Sequence, residues 1–477
     1  MTETISPIKV IRDPVHGYIS IPKEFFPAII DTWGFQRLRG IKQLGTAFLT
    51  YPGATHTRFE HSLGVFHLGS LVLDTLLNKK LLNISAEKIE PLRKTVQAAL
   101  LLHDIGHTPL SHVLERFIDD PNVQIKLLKE DYNVILDKNR VPRKHELAGC
   151  VIILEKFKKS LETLNIDLNL LLRMILGIKV DIRSSDGFSL NLTKQEQQIV
   201  SEILNSPIDV DRLDYIMRDM YFSGANVAVL DIVRFIRSYR IADSHLILSK
   251  HALDYVPNFI YGREALYHSL YLHHNIIYTD SLIARTIYGA LKKELLPPDF
   301  FSPLQMVKKG RDDSSVFNFL REVAMSDPLL SKYARQLLTR EKILKPLWKT
   351  SFEYNNLISE KPNLATLLKT AKGKFEAGLI KKFNLNEYEL IISIAKTPVS
   401  PSGSRNVYIS LTDGLTTFHE IFNESIRRFE SPGIFIYSPK DKIQKVIDFI
   451  NSADEKTLLD IIEVGKQNPT FFSINGF

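Results

Sequence analysis

Cysteine is almost absent: Cys150 is the single one in 477 residues. An intrachain disulfide is thereby excluded, and so are zinc or iron–sulfur centres built on thiolates. No run of 18 apolar residues occurs, which removes a transmembrane helix. The opening MTETISPIKV has neither a basic segment nor an apolar core after it, so no secretory leader is expected. A cytoplasmic protein that keeps clear of membranes is the expectation. What is present is ordinary globular material, 44% hydrophobic and 24% charged, long enough to bury large cores without covalent staples. The net charge of +7 favours anionic partners in general, but over so long a chain it serves solubility equally well.

Histidine is where the sequence departs from the ordinary. Seven of the 14 lie between His56 and His145, namely His56, His61, His67, His103, His107, His112 and His145. Imidazole is the commonest metal ligand and the usual proton carrier near neutral pH, so chemistry is to be sought there.

The apolar periodicity predicts a mainly α protein. Residues 8–21 read as a β-hairpin around Asp13-Pro14 and Gly17. Helical spacing follows over Asp31–Leu44, His61–Leu77, Pro91–His103, His145–Lys159, Leu164–Leu176, Asp231–Tyr239 and Tyr261–Leu295. A small hairpin is expected at 180–192, and 400–404 reads as a loop. Beyond Pro298 the pattern changes, with strands at Glu389–Ala395, Val407–Leu411 and Gly433–Tyr437 and helices at Thr416–Phe429 and Lys440–Asn451. The expected division is a helical domain with its hairpin over 1–300 and a smaller α/β lobe over 301–477, regulatory or oligomerising.

Four pieces of sequence carry the chemistry: Arg58-Phe-Glu-His61, His103-Asp104, His107 with His112, and Asp209-Val-Asp211. His61, His103, Asp104 and Asp211 supply two imidazoles and two carboxylates, a set suited to one divalent ion such as Zn, Fe, Mn, Ni or Mg. The spacing of LLHDIGH predicts His103 and His107 on one helix face. The apolar run around them predicts burial, which a charge tolerates only with a partner or a metal. A polar network inside a helical bundle would use the same residues. Arg58 offers a fork to phosphate, and Asp211, Asp214, Tyr215 and Arg218 fall on one face of a helix.

The order H…HD…D resembles the HD phosphohydrolase superfamily. The segments DPVHGYISI, FQRLRGIKQLG, YPGATHTRFEHSLGVFHLG, LLHDIGHTPLSH, HE and IDVDRLDYIMRD, running in order from Lys9 to about His274, resemble its deoxynucleoside-triphosphate triphosphohydrolase branch. The resemblance implies an HD-domain helical core and hydrolysis of dNTPs, dGTP among them, to deoxynucleoside and tripolyphosphate. It makes His61, His103, Asp104 and Asp211 the metal ligands and assigns His107, His112, Glu115, His145 and Asp209 to catalysis. It places Arg58, Arg212, Tyr215 and Arg263 on the triphosphate, with Arg212 standing where relatives have lysine, and Gln43, Asp219 and Tyr271 on the sugar, with Leu44 and Tyr267 also among the substrate-binding residues. Lys9, Val10, Asp31, Gln36 and Arg39 match a site where GTP or dGTP activates regulated relatives between the subunits of a homo-oligomer. Arg12 departs there from a familiar asparagine. No sterile-alpha-motif domain is expected before the hairpin. Two other functions compete: a binuclear HD phosphodiesterase acting on cyclic nucleotides, with His112 and His145 on a second metal, and a single-stranded nucleic-acid binder using the tyrosine-rich stretch FIYGREALYHSLYLHH.

Overall fold

The computed structural model describes residues 7–118, 121–130, 142–178, 187–341, 343–359, 361–395, 407–411, 414–417, 420–421 and 433–474. Within these the protein is mainly helical, with a hairpin at its start and small sheets elsewhere. It divides into two compact units that alternate along the chain. One comprises Met1–Leu266, Asp299–Ser314 and Ser400–Arg427; the other comprises Tyr267–Pro298, Ser315–Val399 and Arg428–Phe477.

The first unit begins with strands β1 (Ile8–Asp13) and β2 (Gly17–Pro22), paired antiparallel from Ile8 opposite Pro22 to Asp13 opposite Gly17. Gly17 turns the chain at φ 76°, where a side chain would be strained. Ile19 and Ile21 are buried while Tyr18 is 68% exposed, the alternation of a strand with one face on the core. The helix Arg58–Asn78 is the axis of this unit. Glu60 accepts the backbone N–H of its cap residue Thr57, and Phe59, Leu63, Val65, Phe66, Leu68, Val72, Leu73 and Leu76 are all buried. Such a helix is apolar nearly all round because other helices surround it. Ala86–Leu102 and Val210–Ser223 pack directly against it.

Two expected helices end early, for tertiary reasons. Over Asp31–Leu44 only Trp33–Gln36 is α-helical, followed by a tight turn at Arg37–Gly40. There the buried Arg37 guanidinium donates to the carbonyls of Ile105 and His107, both at 2.9 Å, and of Arg311 at 3.0 Å, and Lys42 pairs with Thr57 in a β-bridge. In LLHDIGH the helix stops at Leu102 with His103 as its C-cap, so His103 and His107 do not share a helix face. The cause lies at Gly106, whose missing Cβ would stand 2.1 Å from the His145 carbonyl oxygen and 2.3 Å from the Gly149 nitrogen. The backbone there lies directly on the helix Lys144–Ile152.

The sheet of this unit was only half legible. Tyr239–Ala242 and His245–Ser249 form an antiparallel hairpin inside the region expected to be helical. Tyr408–Leu411 joins it in parallel and Gly414–Thr417 completes it. Thr416 and Thr417 are thus strand where a helix was expected; of the rest of that helix, 418–419 and 422–429 lie outside the described residues. So do 180–186 of the expected hairpin, whose remainder at 187–192 carries no strand, and the loop at 400–404.

In the second unit a three-stranded sheet, Lys345–Pro346, Ile434–Ser438 and Ile391–Ile394, is antiparallel throughout. The expected Tyr261–Leu295 helix is broken: Val256–Leu266 belongs to the first unit, and a wide turn at Tyr267–Tyr271 and then His274–Lys292 to the second. Lys372–Lys382 and Glu455–Gln467 cross at two glycines, because a Cβ on Gly378 would lie 2.0 Å from the Ile461 carbonyl and one on Gly465 would lie 1.8 Å from that of Lys374.

Gly106→Ala should therefore lower stability by about 2–3 kcal/mol or more, since a methyl has to be forced between two backbones. Denaturant unfolding checks this; an unchanged midpoint would mean that the contact with Lys144–Ile152 is not tight.

Candidate metal and phosphate site

Two clusters of imidazoles meet in the first unit, with Asp104 between them. In the first cluster, His61 Nε2 lies 3.0 Å from Asp211 Oδ1, 3.3 Å from His103 Nε2 and 3.6 Å from Asp104 Oδ2. His103 Nε2 is 3.5 Å from the same Asp104 oxygen and 4.0 Å from Asp211 Oδ1. Donor atoms bonded to one cation at about 2.0–2.2 Å stand roughly 3.0–3.5 Å from their neighbours. The spacing fits a single divalent ion held by His61, His103 and Asp211, with an Asp104 oxygen at 3.5–3.6 Å from both imidazole nitrogens.

The outer nitrogens support the same fit. His103 Nδ1 lies 2.9 Å from the Leu100 carbonyl, which can only accept, so the proton sits on Nδ1 and Nε2 presents a lone pair. His61 Nδ1 lies 2.7 Å from Asp214 Oδ2, the carboxylate–histidine arrangement that orients metal-ligating imidazoles. Burial opposes a charged His61, but its bonds to Asp211 and Asp214 outweigh it and push the imidazole up to about 10. A cation would enter in exchange for that proton.

Asp214 is itself fully buried. It accepts from His16 at 2.6 Å and from Arg218 at 2.9 and 3.0 Å. Arg218, with no exposed surface, reaches on to Asp13 at 2.8 Å. Burial works against the Asp214 charge, yet Arg218 and the two histidines hold its carboxyl well below the usual range. Gly64 makes this arrangement sterically possible, because a Cβ there would stand 1.9 Å from Asp214 Oδ1. Sequence reasoning placed Asp214 and Arg218 on a helix face without a partner and gave no role to Asp13 and His16. Their signal was the DPVHG turn.

The second cluster contains His107, His112 and His145. The His107 and His145 rings stack with centroids 4.0 Å apart, and the His112 ring stands across both at 4.8 and 5.4 Å. Glu115 anchors two of them, lying 2.8 Å from His112 Nδ1 and 2.9 Å from His145 Nδ1. Each of those rings is left with Nε2 for other work. His112 is 55% exposed and the other two are buried. Burial, with Arg58 and His145 beside it, holds His107 well below the usual imidazole range, hence neutral. His107 Nε2 lies 3.1 Å from Asp104 Oδ1, and Arg58 donates to Asp104 Oδ2 at 2.6 Å and to the Ser111 hydroxyl at 3.0 Å. Asp104 thus faces both clusters at once.

The other expected site residues are distributed as follows. Asp209 is 2% exposed and caps the helix Val210–Ser223, accepting the Arg212 N–H at 2.9 Å and pairing with the Arg212 side chain. Its carboxylate is spent on holding the helix that carries Asp211, and burial raises it to about 6. Tyr215 accepts from Arg263 Nε at 3.2 Å. Asp219 is buried against His56 Nε2 at 2.7 Å, and Gln43 is buried while Leu44 is half-buried. Tyr267 and Tyr271 meet edge to face, 4.9 Å apart, in the turn of the second unit.

Of the residues expected to bind an activator, Gln36 and Arg39 bond to each other at 2.9 Å. With Trp33, Arg37, Gly40, Gly310 and Asp312 they line a cavity of about 290 Å³. Lys9 lies over the Phe26 ring at 4.1 Å, Val10 is 55% exposed on the hairpin, and Asp31 is exposed. Helix capping next to Asp31 falls to Thr32, which accepts from the Phe35 N–H.

Residues 58–216 match the HD domain family, a span that contains both clusters. An uncharacterized protein of Methanocaldococcus jannaschii is 26% identical over 96% of this chain and 87% of its own length. The bovine deoxynucleoside triphosphate triphosphohydrolase SAMHD1 is 33% identical over 56% of this chain and 45% of its own. The archaeal protein apart, the chain spans about half the length of the curated relatives it matches. The crystal structure of a phosphohydrolase from Bacteroides thetaiotaomicron shares the fold, with a TM-score of 0.64 at 21% identity over 91% of this chain and all of that one. Residues 58–216 thus carry an HD domain, and about half of the chain is similar to dNTP triphosphohydrolases.

Asp211→Ala should abolish retention of a divalent metal, because it removes one of the two carboxylates that converge on His61. Asp214→Asn should weaken metal affinity by about 10–100-fold, the usual consequence of losing a ligand's outer partner. Metal titration of both variants by calorimetry or elemental analysis decides; wild-type affinity in Asp211→Ala would remove that residue from the ligand set.

Proposed function

We propose that the protein is a metal-dependent phosphohydrolase that cleaves deoxynucleoside triphosphates, dGTP among them, into deoxynucleoside and tripolyphosphate. One observation carries this reading: two imidazoles and Asp211 stand at metal-ligand spacing, and Asp104 lies between them and a second cluster in which Glu115 anchors His112 and His145. A divalent cation held by His61, His103, Asp104 and Asp211 supplies, when bound, Lewis acidity toward a phosphoryl oxygen and toward water.

The chain's own residues do the rest. Arg58, Arg212 and Arg263 draw the triphosphate in, Arg58 from its place beside Asp104, and Tyr215 orients Arg263. Water attacks the α-phosphorus and the bond to the 5′ oxygen breaks. His112, entering as the imidazolium with its Nδ1–H held by Glu115, gives its Nε2 proton to that oxygen and recovers one from the attacking water, whose hydroxyl stays on phosphorus. His145 shares the same carboxylate and keeps Glu115 ionised, while neutral His107 stacks on the His145 ring. Asp209 acts by holding Asp211 in place. Gln43 and Asp219 face the sugar.

The same reading makes the enzyme a cytoplasmic homo-oligomer whose activity rises with GTP or dGTP at Lys9, Val10, Asp31, Gln36 and Arg39. Asp31→Ala should then remove activation by GTP while leaving basal dGTP turnover. Dependence of dATP turnover and particle mass on GTP is the measurement; indifference of both would make the enzyme constitutive.

A binuclear phosphodiesterase remains the second reading, because the ligand atoms of His107, His112 and His145 lie within 4.8 Å of one another. Product analysis with each dNTP and with cyclic nucleotides separates the two, tripolyphosphate being the expected product. His112→Ala should lower kcat by about 10²–10⁴-fold with metal content unchanged. Loss of a second metal equivalent in that variant would favour the binuclear alternative.

A further inference from the structure

The segment that follows Asp299 returns to the first unit, and one of its residues reaches the loop that carries His112. Asp313 is 2% exposed. Its Oδ1 accepts the Leu110 N–H at 2.6 Å and its Oδ2 the Lys42 N–H at 3.0 Å, with the Lys42 ammonium 3.7 Å away. The carboxylate thus clips together two backbones that are nearly 70 residues apart in sequence.

What it holds is unusual. Leu110 and Ser111, consecutive and neither of them glycine, have φ of 58° and 55°. Side chains adopt that region only where their surroundings over-determine it, and such positions gather at functional sites. Here the surroundings are visible. Asp313 takes the Leu110 N–H, the Thr108 hydroxyl donates to the Ser111 carbonyl at 2.7 Å, and the Ser111 hydroxyl donates to the Lys42 carbonyl, also at 2.7 Å. The same hydroxyl accepts from Arg58. Arg37 adds a second tie, its guanidinium bridging the Arg311 carbonyl to those of Ile105 and His107. His112 is the next residue along the chain after Ser111.

We infer that Asp313 is a positioning residue for catalysis, a brace that holds the 108–111 turn in its strained conformation and so sets where His112 and the Arg58–Ser111 pair stand. The inference rests on the phosphohydrolase reading for its consequence and on Asp313 geometry for its cause. A carboxylate is required because two N–H groups converge on it. An amide in its place offers one acceptor oxygen and turns an NH₂ toward the other donor. None of the proposed metal ligands bonds to Asp313, so metal binding should survive its loss.

The test is Asp313→Asn, compared with wild type in dNTP turnover per bound metal and in hydrogen exchange at the Leu110 and Lys42 amides. The expected result is a fall in kcat of about 10–100-fold, the scale on which small misplacements of a reacting group act, with KM close to wild type. Metal content should be unchanged and exchange faster at both amides. Asp313→Glu, which keeps two acceptor oxygens on a longer stem, carries the same expectation in milder form if the amide variant does not fold. Wild-type kcat in the variant, or a rise in KM with kcat intact, would overturn the inference. So would unaltered exchange at the two amides. If the wild-type enzyme releases tripolyphosphate from no dNTP, the phosphohydrolase reading fails, and the exchange comparison still decides whether the brace exists.

Discussion

The buried carboxylate of Asp214 is the interaction on which the site depends. It has no exposed surface, and it stands between His61, His16 and Arg218. Alone it would be intolerable in that interior; with Arg218 and two imidazoles around it, its charge is secured. Arg218 in turn is made tolerable by Asp13. The N-terminal hairpin, the axial helix Arg58–Asn78 and the helix Val210–Ser223 are therefore joined by one polar knot. Loss of a single partner would leave a buried charge exposed to the apolar core, a cost of about 3–5 kcal/mol. That knot also fixes the ring of His61, so fold stability and ligand orientation draw on the same bonds.

Division of labour among the histidines follows from what binds their Nδ1 atoms. A backbone carbonyl on His103 and the Asp214 carboxylate on His61 turn both Nε2 atoms into one small volume with Asp211, beside Asp104. Glu115 does the equivalent for His112 and His145 a short distance away. Asp104 touches both groups through different oxygens, Oδ2 toward His61 and His103 and Oδ1 toward His107. The two groups are kept apart by second partners, with one carboxylate connecting them.

Much of this was legible because it is local. Strong periodicity predicted the helices around 61–77 and 91–103, and the Asp13-Pro14…Gly17 turn predicted the hairpin that pairs Ile8 with Pro22. The ligand types announced themselves by their density between His56 and His145. Less legible were the positions where distant segments set the local conformation. Over Asp31–Leu44 the period is helical, but Arg37 is drawn onto the carbonyls of Ile105 and His107 and the helix gives way. The strand at Tyr408–Leu411 has its pairing edge on His245–Ser249, which no local pattern discloses.

Sequence alone determined the chemistry available: no thiolate centre, histidines and aspartates in quantity, and helices of a given period, since composition and spacing are properties of the chain itself. Tertiary structure decided which of those groups meet. His107, four residues from His103, leaves its company because Gly106 lets the backbone settle on Lys144–Ile152 and ends the helix. Asp209, two residues from Asp211, is turned to the helix end as its cap. Asp313, about 200 residues beyond Leu110, arrives beside it. Partners of a buried charge are chosen by where backbones cross, and crossing is set by packing across the whole unit rather than by neighbours in sequence.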